Sequence, residues 1–198
     1  MSSRLFAALA APTLALSVSA CGINTVPASE EVAKARWADV QAAYQRRASL
    51  IPNLVATVKG AAASEERILT QVTEARANAT RITVSPEQLS DPAAIARFNE
   101  AQARLSASII PLQRLQEQYP QLQSQGNFQT LMSQLEGTEN RINITIRDYN
   151  EAVREYNTRI RTFPDLIGAK LVHGAKPLVP FQATTPNADQ APTVDFGK

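Results

Sequence analysis

The stretch FQTLMSQLEGTENRINITIRDYNEAVREYNTRIRTF, residues 128–163, decides the fold. Within it Phe128, Leu131, Leu135, Ile142, Ile146, Tyr149, Val153, Tyr156, Ile160 and Phe163 recur at steps of three and four, with one longer step across Thr138. That is the spacing of one helical face. Its heptad-like regularity predicts a helix over about 127–162 that packs along its length against nearly antiparallel neighbours. Phe163-Pro164 stops it, because proline cannot continue a helix and disfavours the helical region for the residue before it.

The same periodicity runs upstream. Trp37, Val40, Tyr44, Ile51, Val58, Ile68 and Val72 form a stripe that keeps its phase across Pro52. Two readings follow: one long helix over 30–83 kinked near Pro52, or two helices with Ser49 capping the second. The unbroken phase favours the kink. Ser29 before Glu30 and Glu31 reads as the start of this segment, a hydroxyl cap followed by acids at the positive end of the dipole. Residues 85–91 (SPEQLSD) read as a loop, and Asp91-Pro92 opens a helix whose stripe is Phe98, Leu105, Ile109, Leu112 and Tyr119. Pro111 should bend it, and Tyr119-Pro120 with Gln125-Gly126-Asn127 marks a turn. Prolines at 164, 177, 180, 186 and 192 give a C-terminal tail, 164–198, expected to be disordered past Phe181. The middle of the chain is dominated by Ala, Gln, Leu, Arg and Glu, with no glycine between Gly60 and Gly126, which favours helix over sheet. The fold class expected is therefore all-α.

The N-terminus carries a different signal. Arg4 precedes an apolar run, Leu5 to Leu16, and Ser17 to Ala20 are mostly small. The run is under the ~20 residues a spanning helix needs, and Pro12 interrupts it. Cys21, the sole cysteine, follows Val18-Ser19-Ala20 directly. This resembles a lipobox, where a bacterial leader is cut and the new N-terminal cysteine acquires a diacylglycerol. Residues 1–20 are then a lipoprotein signal peptide and 21–29 a short tether. The alternative is a plain secretory leader with an incidental cysteine. Gly22, where an Asp is absent, is consistent with the periplasmic side of the outer membrane if the host has two membranes. Removing the leader leaves residues 21–198, enough for one domain with a core.

Charge is nearly balanced, 20 basic against 18 acidic residues, with both signs interspersed. No basic block marks a nucleic-acid surface. The single thiol excludes an internal disulfide, and one thiol with one histidine, His173, does not make a zinc site. There is no glycine-rich phosphate loop and no expected cofactor. His173 lies outside the predicted helices, away from any scaffold that would hold a nucleophile beside it.

Several segments together resemble the LemA family of bacterial envelope proteins. They are Arg46 through Val55 (RRASLIPNLV) with Val58-Lys59-Gly60; Tyr119-Pro120 with Asn127-Phe128; Leu135 through Ile142 (LEGTENRI); and Arg147-Asp148-Tyr149-Asn150 with Tyr156-Asn157 and Phe163-Pro164. The resemblance covers roughly residues 36–181. It implies an up-and-down four-helix bundle over 30–163, attached to a membrane at its N-terminus; it brings no defined activity, and together with the residue inventory the expectation is a non-enzymatic scaffold or adaptor for other envelope proteins. The family's usual N-terminal transmembrane helix is here replaced by the lipobox, and the aromatic residue and histidine often found after the VKG run are Ala61 and Ser64.

Two polar features are candidate sites. Asn143, Asn150 and Asn157 repeat every seven residues, and Arg147, Arg154 and Arg161 follow each by four, so they form a ribbon beside the Tyr149–Tyr156 seam. It reads as a solvated face with Arg147–Glu151 and Glu155–Arg159 pairs, as register-fixing polar groups inside the bundle, or as a docking stripe for a partner. Arg46-Arg47 reads as a surface pair beside a kink, with stems covering apolar neighbours, or as a carboxylate-binding corner. The partners expected are a membrane, through the Cys21 lipid, and another envelope protein. The alternative is self-association as a structural or stress-linked protein.

Overall fold

The computed structural model describes residues 2–123 and 126–182, with side chains described from Asn24 onward, apart from Ala61, Ala63, Gln116 and Gln123. Among these residues every regular element is helical: α1 (Ser2–Ala61), α2 (Glu66–Arg81), α3 (Pro92–Gln118), α4 (Pro120–Gln123), α5 (Gly126–Arg159) and α6 (Asp165–Gly168). Short 3-10 turns occupy Ala63–Glu65 and Pro86–Ser90, and a π turn follows α6 over Ala169–His173. The expected all-α class holds. The chain divides into two compact units, Met1–Ala43 with Ser85–Pro92 and Asn140–Pro180, and Tyr44–Val84 with Ala93–Glu139 and Phe181–Lys198. Helices α1 and α5 contribute residues to both.

In the second unit Ile51, Leu54, Val58, Leu69, Val72, Leu105, Ile109, Leu112, Phe128 and Leu135 close into one buried cluster. They come from α1, α2, α3 and α5, and each is worth about 1.5–3 kcal/mol on removal from water. α1 continues through Pro52 without a second helix starting there, and the single segment expected over 30–83 is interrupted instead at Ala62, between α1 and α2. The physical reason is visible. Proline at 52 lacks the N–H that would bond the Ala48 carbonyl. Arg76 Nε, reaching across from α2, donates to that carbonyl at 2.8 Å and satisfies it.

In the first unit Val26, Ala33, Trp37 and Val40 of α1 and Ile142, Tyr149, Val153, Tyr156 and Ile160 of α5 are all buried. Trp37 and Tyr149 stack with tilted rings, centroids 5.1 Å apart. Three expectations change here. Residues 21–29 are not a tether: α1 continues through them, and Val26 is already core. Ser29 does not cap a helix start; its hydroxyl donates to the Val26 carbonyl at 2.9 Å from inside the helix. The loop 85–91 contains a 3-10 turn closed by Ser85 N–H donating to Gln88 Oε1 at 3.0 Å, and its Leu89 is buried.

The C-terminal segment is a further correction. Up to residue 182 it is not a ragged tail. Leu178 is buried in the first unit and Phe181 in the second, where it sits against Tyr44 and Phe98. Val179 N–H donates to Leu89 O at 2.9 Å, and Tyr149 Oη donates to Val179 O at 2.9 Å. Gly174 takes a left-handed φ of 56°, which ends the π turn and releases the chain into this extended run. Residues 183–198, expected to be disordered, lie outside the described residues.

Candidate functional site

Arg46 and Arg47 separate. Arg46 is exposed, while Arg47 is 1% exposed and points into the second unit. A buried guanidinium is tolerated only when paired and hydrogen-bonded, and Arg47 has a dense shell. Its Nη1 donates to Glu139 Oε1 at 2.9 Å and to Ser106 Oγ at 2.6 Å. Its Nη2 donates to Gln102 Oε1 at 2.8 Å and to the Gln102 carbonyl at 3.1 Å. The guanidinium lies 4.9 Å from the Tyr44 ring centroid, a cation–π arrangement. Gln102 then passes its amide to the Ala79 carbonyl at 3.2 Å. One chain of polar contacts thus joins α5, α1, α3 and α2. The Nε of Arg47 is buried without a partner.

Neither sequence reading of the arginine pair describes this. Arg47 is not a surface residue, and its carboxylate is supplied from within by Glu139. Both partners come from segments that stood out in the sequence, RRASLIP and TEN. Nothing in the spacing announced that they meet, because they lie on different helices. Tyr44, beside this cluster, has its hydroxyl pKa pushed up to about 12 by burial, with the Arg47 charge opposing the shift and Glu139 adding to it.

The asparagine–arginine ribbon also divides. Asn157 is half-buried and clasps the C-terminal segment: its Nδ2 donates to Leu178 O at 2.8 Å, and its Oδ1 accepts from Leu178 N–H at 2.9 Å. The side-chain amide pairs with a peptide group as a second backbone would. Asn150 is half-buried. Asn143, Arg147, Arg154 and Arg161 are exposed. Arg147 lies 3.7 Å from Asp148 rather than on Glu151, and Glu151 instead faces Arg154 at 3.4 Å. The Glu155–Arg159 pair forms at 2.8 Å. Burial raises the hydroxyl pKa of Tyr149 and of Tyr156.

His173 is exposed at the end of the π turn and lines a shallow hollow with Lys34, Glu87, Tyr156 and Lys176. Among the described residues no group of three or more metal-ligating side chains occurs, and no helix is long and apolar enough to cross a membrane. The Cys21 side chain lies outside the described residues.

These features define an all-helical domain whose motif residues make contacts between its own elements. The LemA family model matches residues 36–196, and the chain belongs to the LemA family. No curated protein matches it.

Proposed function

We propose that this LemA-family chain is a lipid-anchored, non-enzymatic scaffold of the bacterial envelope that adapts other envelope proteins to one another. The observation that carries the reading is the Arg47 cluster. Arg47 and Glu139, from two family segments, are engaged in holding helices in register through one chain of hydrogen bonds. A buried ionic group of this kind contributes specificity of packing more than stability, and a defined rigid surface is what an adaptor needs. The four helices α1, α2, α3 and α5 are read as an up-and-down four-helix bundle. The short connections at 62–65 and 119–125 support this, since short links favour antiparallel neighbours.

Cys21 carries the anchor. Acylation there would place the lipid just ahead of Val26, the first buried residue among those described in α1, so the folded part would sit against the bilayer rather than swing from a tether. Two or three acyl chains at roughly 0.8 kcal/mol per buried CH2 make such anchoring stable. The periplasmic face of the outer membrane is the location in a two-membrane host. The exposed ribbon residues Asn143, Arg147 and Arg154 are the surface offered to a protein partner.

In-cell crosslinking of the acylated full-length protein, with partners identified by mass spectrometry and Cys21→Ser as the mislocalised control, tests the reading. A discrete partner that disappears in the control is the expected result. Only self-crosslinks would replace the adaptor by a self-associating structural protein.

A further inference from the structure

The segment after α5 is amphipathic in the inverted sense. Its buried residues are the smallest, Gly168 and Ala169. Its large apolar side chains face out: Phe163 is 70% exposed, Ile167 41%, Leu171 82% and Val172 59%. Phe163 lies in the turn before α6, Ile167 in α6 and Leu171 and Val172 in the π turn that follows, so all four fall within one short stretch of chain. Phe163, last in the α5 stripe by spacing, leaves the seam here. Soluble proteins scatter exposed apolar residues singly, and a contiguous group of large ones marks an interaction surface.

Two further observations say what covers it. First, basic residues are interspersed with it and flank it along the chain. Arg161, Lys170 and Lys176 are exposed, while the one carboxylate between them, Asp165, is half-buried and faces Arg159 at 3.8 Å. Second, the segment emerges where the chain enters the fold. Arg159 lines one hollow with Thr25, Ala28, Ser29 and Val32 of α1, and Cys21 lies only about 6 Å further along a helix axis from Thr25.

The geometry points to Phe163, Ile167, Leu171 and Val172 as a membrane-surface foot that rests in the headgroup–acyl boundary of an anionic bilayer beside the lipid anchor. This rests on the anchoring reading above. Large apolar side chains entering the interface with lysines and an arginine level with lipid phosphates is how interfacial segments bind. An acyl chain alone leaves a protein free to tumble about its attachment. A second contact fixes which face of the domain looks away from the membrane, and so which face a partner meets.

The test uses the full-length protein in vesicles of phosphatidylethanolamine and phosphatidylglycerol carrying brominated acyl chains. Leu171→Trp fluorescence should be strongly quenched by the bromolipid. Ile144→Trp, at an exposed position of α5 in the same unit, should be unaffected, and the buried Trp37 background is subtracted with the parent protein. Lys170→Glu with Lys176→Glu should reduce the quenching several-fold. Absence of quenching at 171 overturns the foot, whether or not the N-terminal peptide carries a diacylglyceryl group by mass spectrometry. A bare N-terminal peptide with quenching at 171 overturns the anchor and leaves the foot standing. A blue shift of Leu171→Trp emission that grows with protein concentration in the absence of lipid gives the face to a second copy and overturns the proposal.

Discussion

The two compact units solve the same problem with different chemistry. In the second, arginines do the polar work: Arg47 gathers Glu139, Gln102 and Ser106, and Arg76 closes the carbonyl that Pro52 leaves open. In the first, neutral groups do it. The Asn157 amide and the Tyr149 hydroxyl hold the backbone of Leu178 and Val179. A buried cation is costly to strand, so its removal or that of its partners is felt throughout the network. A neutral amide at the edge of a core costs less to lose, and its loss frees one segment. The second unit is therefore built for fixed register and the first for a fastening that opens locally.

The largest expected effect is at the charged cluster. Arg47→Ala leaves a cavity and removes the donor to Gln102 Oε1, Ser106 Oγ and Glu139 Oε1, and should destabilise by about 3–5 kcal/mol in denaturant unfolding followed by circular dichroism. Arg47→Met, which fills the space without a charge, should cost much less. Equal losses from the two substitutions would show that packing, not the charge network, is what Arg47 contributes.

Next is the neutral clasp. Asn157→Ala leaves both the N–H and the carbonyl of Leu178 without their partner, a loss of about 2 kcal/mol. The sharper prediction is its location. Amide exchange and proteolysis should rise over 175–180 while the second unit keeps its protection. Uniform loss of protection would break the contrast between the units.

The proline carbonyl gives a smaller, cleaner test. Arg76→Met should cost about 1–2 kcal/mol, because the Ala48 carbonyl loses its donor. Pro52→Ala restores an N–H four residues after Ala48, so Arg76→Met should cost measurably less in the Pro52→Ala background. The double-mutant cycle reads that coupling directly, and strict additivity would remove Arg76 from this role.

Alkaline pH separates the units once more. Tyr44 and Tyr149 both have hydroxyl pKa values raised by burial above the usual value near 10. A raised folded pKa means the unfolded chain ionises first. The stabilisation is complete below about pH 10 and is lost as pH rises through the folded value, about 12 for Tyr44. Arg47 opposes the shift at Tyr44, whereas burial is the cause at Tyr149. Tyr44→Phe and Tyr149→Phe should each flatten the alkaline loss by on the order of 1 kcal/mol. Ultraviolet titration of Arg47→Met should show Tyr44 ionising at higher pH than in the parent, and no upward move would contradict the assignment of Arg47 as the opposing charge.

What the sequence disclosed follows from which interactions are periodic. The stripes of α1, α3 and α5 repeat every turn, so the helices, the Asp91-Pro92 start and the buried Trp37, Tyr44, Phe98 and Tyr149 were legible. Interactions made once are not periodic. The Glu139–Arg47 pair joins residues on different helices, and the arginine that completes the Ala48 carbonyl comes from α2. A signal for the latter did exist: Pro52 in phase with an unbroken stripe requires a foreign donor for residue 48. The prolines at 177 and 180 read as a loose tail because composition does not register two buried anchors, Leu178 and Phe181, or the Asn157 amide that clasps the backbone of Leu178.

The smallest effect expected lies on the outer face of α5, and it isolates surface from scaffold. Asn143, Arg147 and Arg154 are exposed, and their ion pairs with Asp148 and Glu151 are 3.7 Å and 3.4 Å long between largely solvated groups. Exposed pairs of this geometry contribute about 0–1 kcal/mol and are screened by salt. Arg147→Ala with Arg154→Ala should therefore leave unfolding free energy within about 0.5 kcal/mol of the parent. Asn157→Ala, on the same ribbon, should not. If partner crosslinking is lost in the double variant while stability holds, the exposed part of the ribbon is a recognition surface carried by the clasped part. If crosslinking survives, recognition lies elsewhere on the domain and the ribbon's outer half is solvated charge.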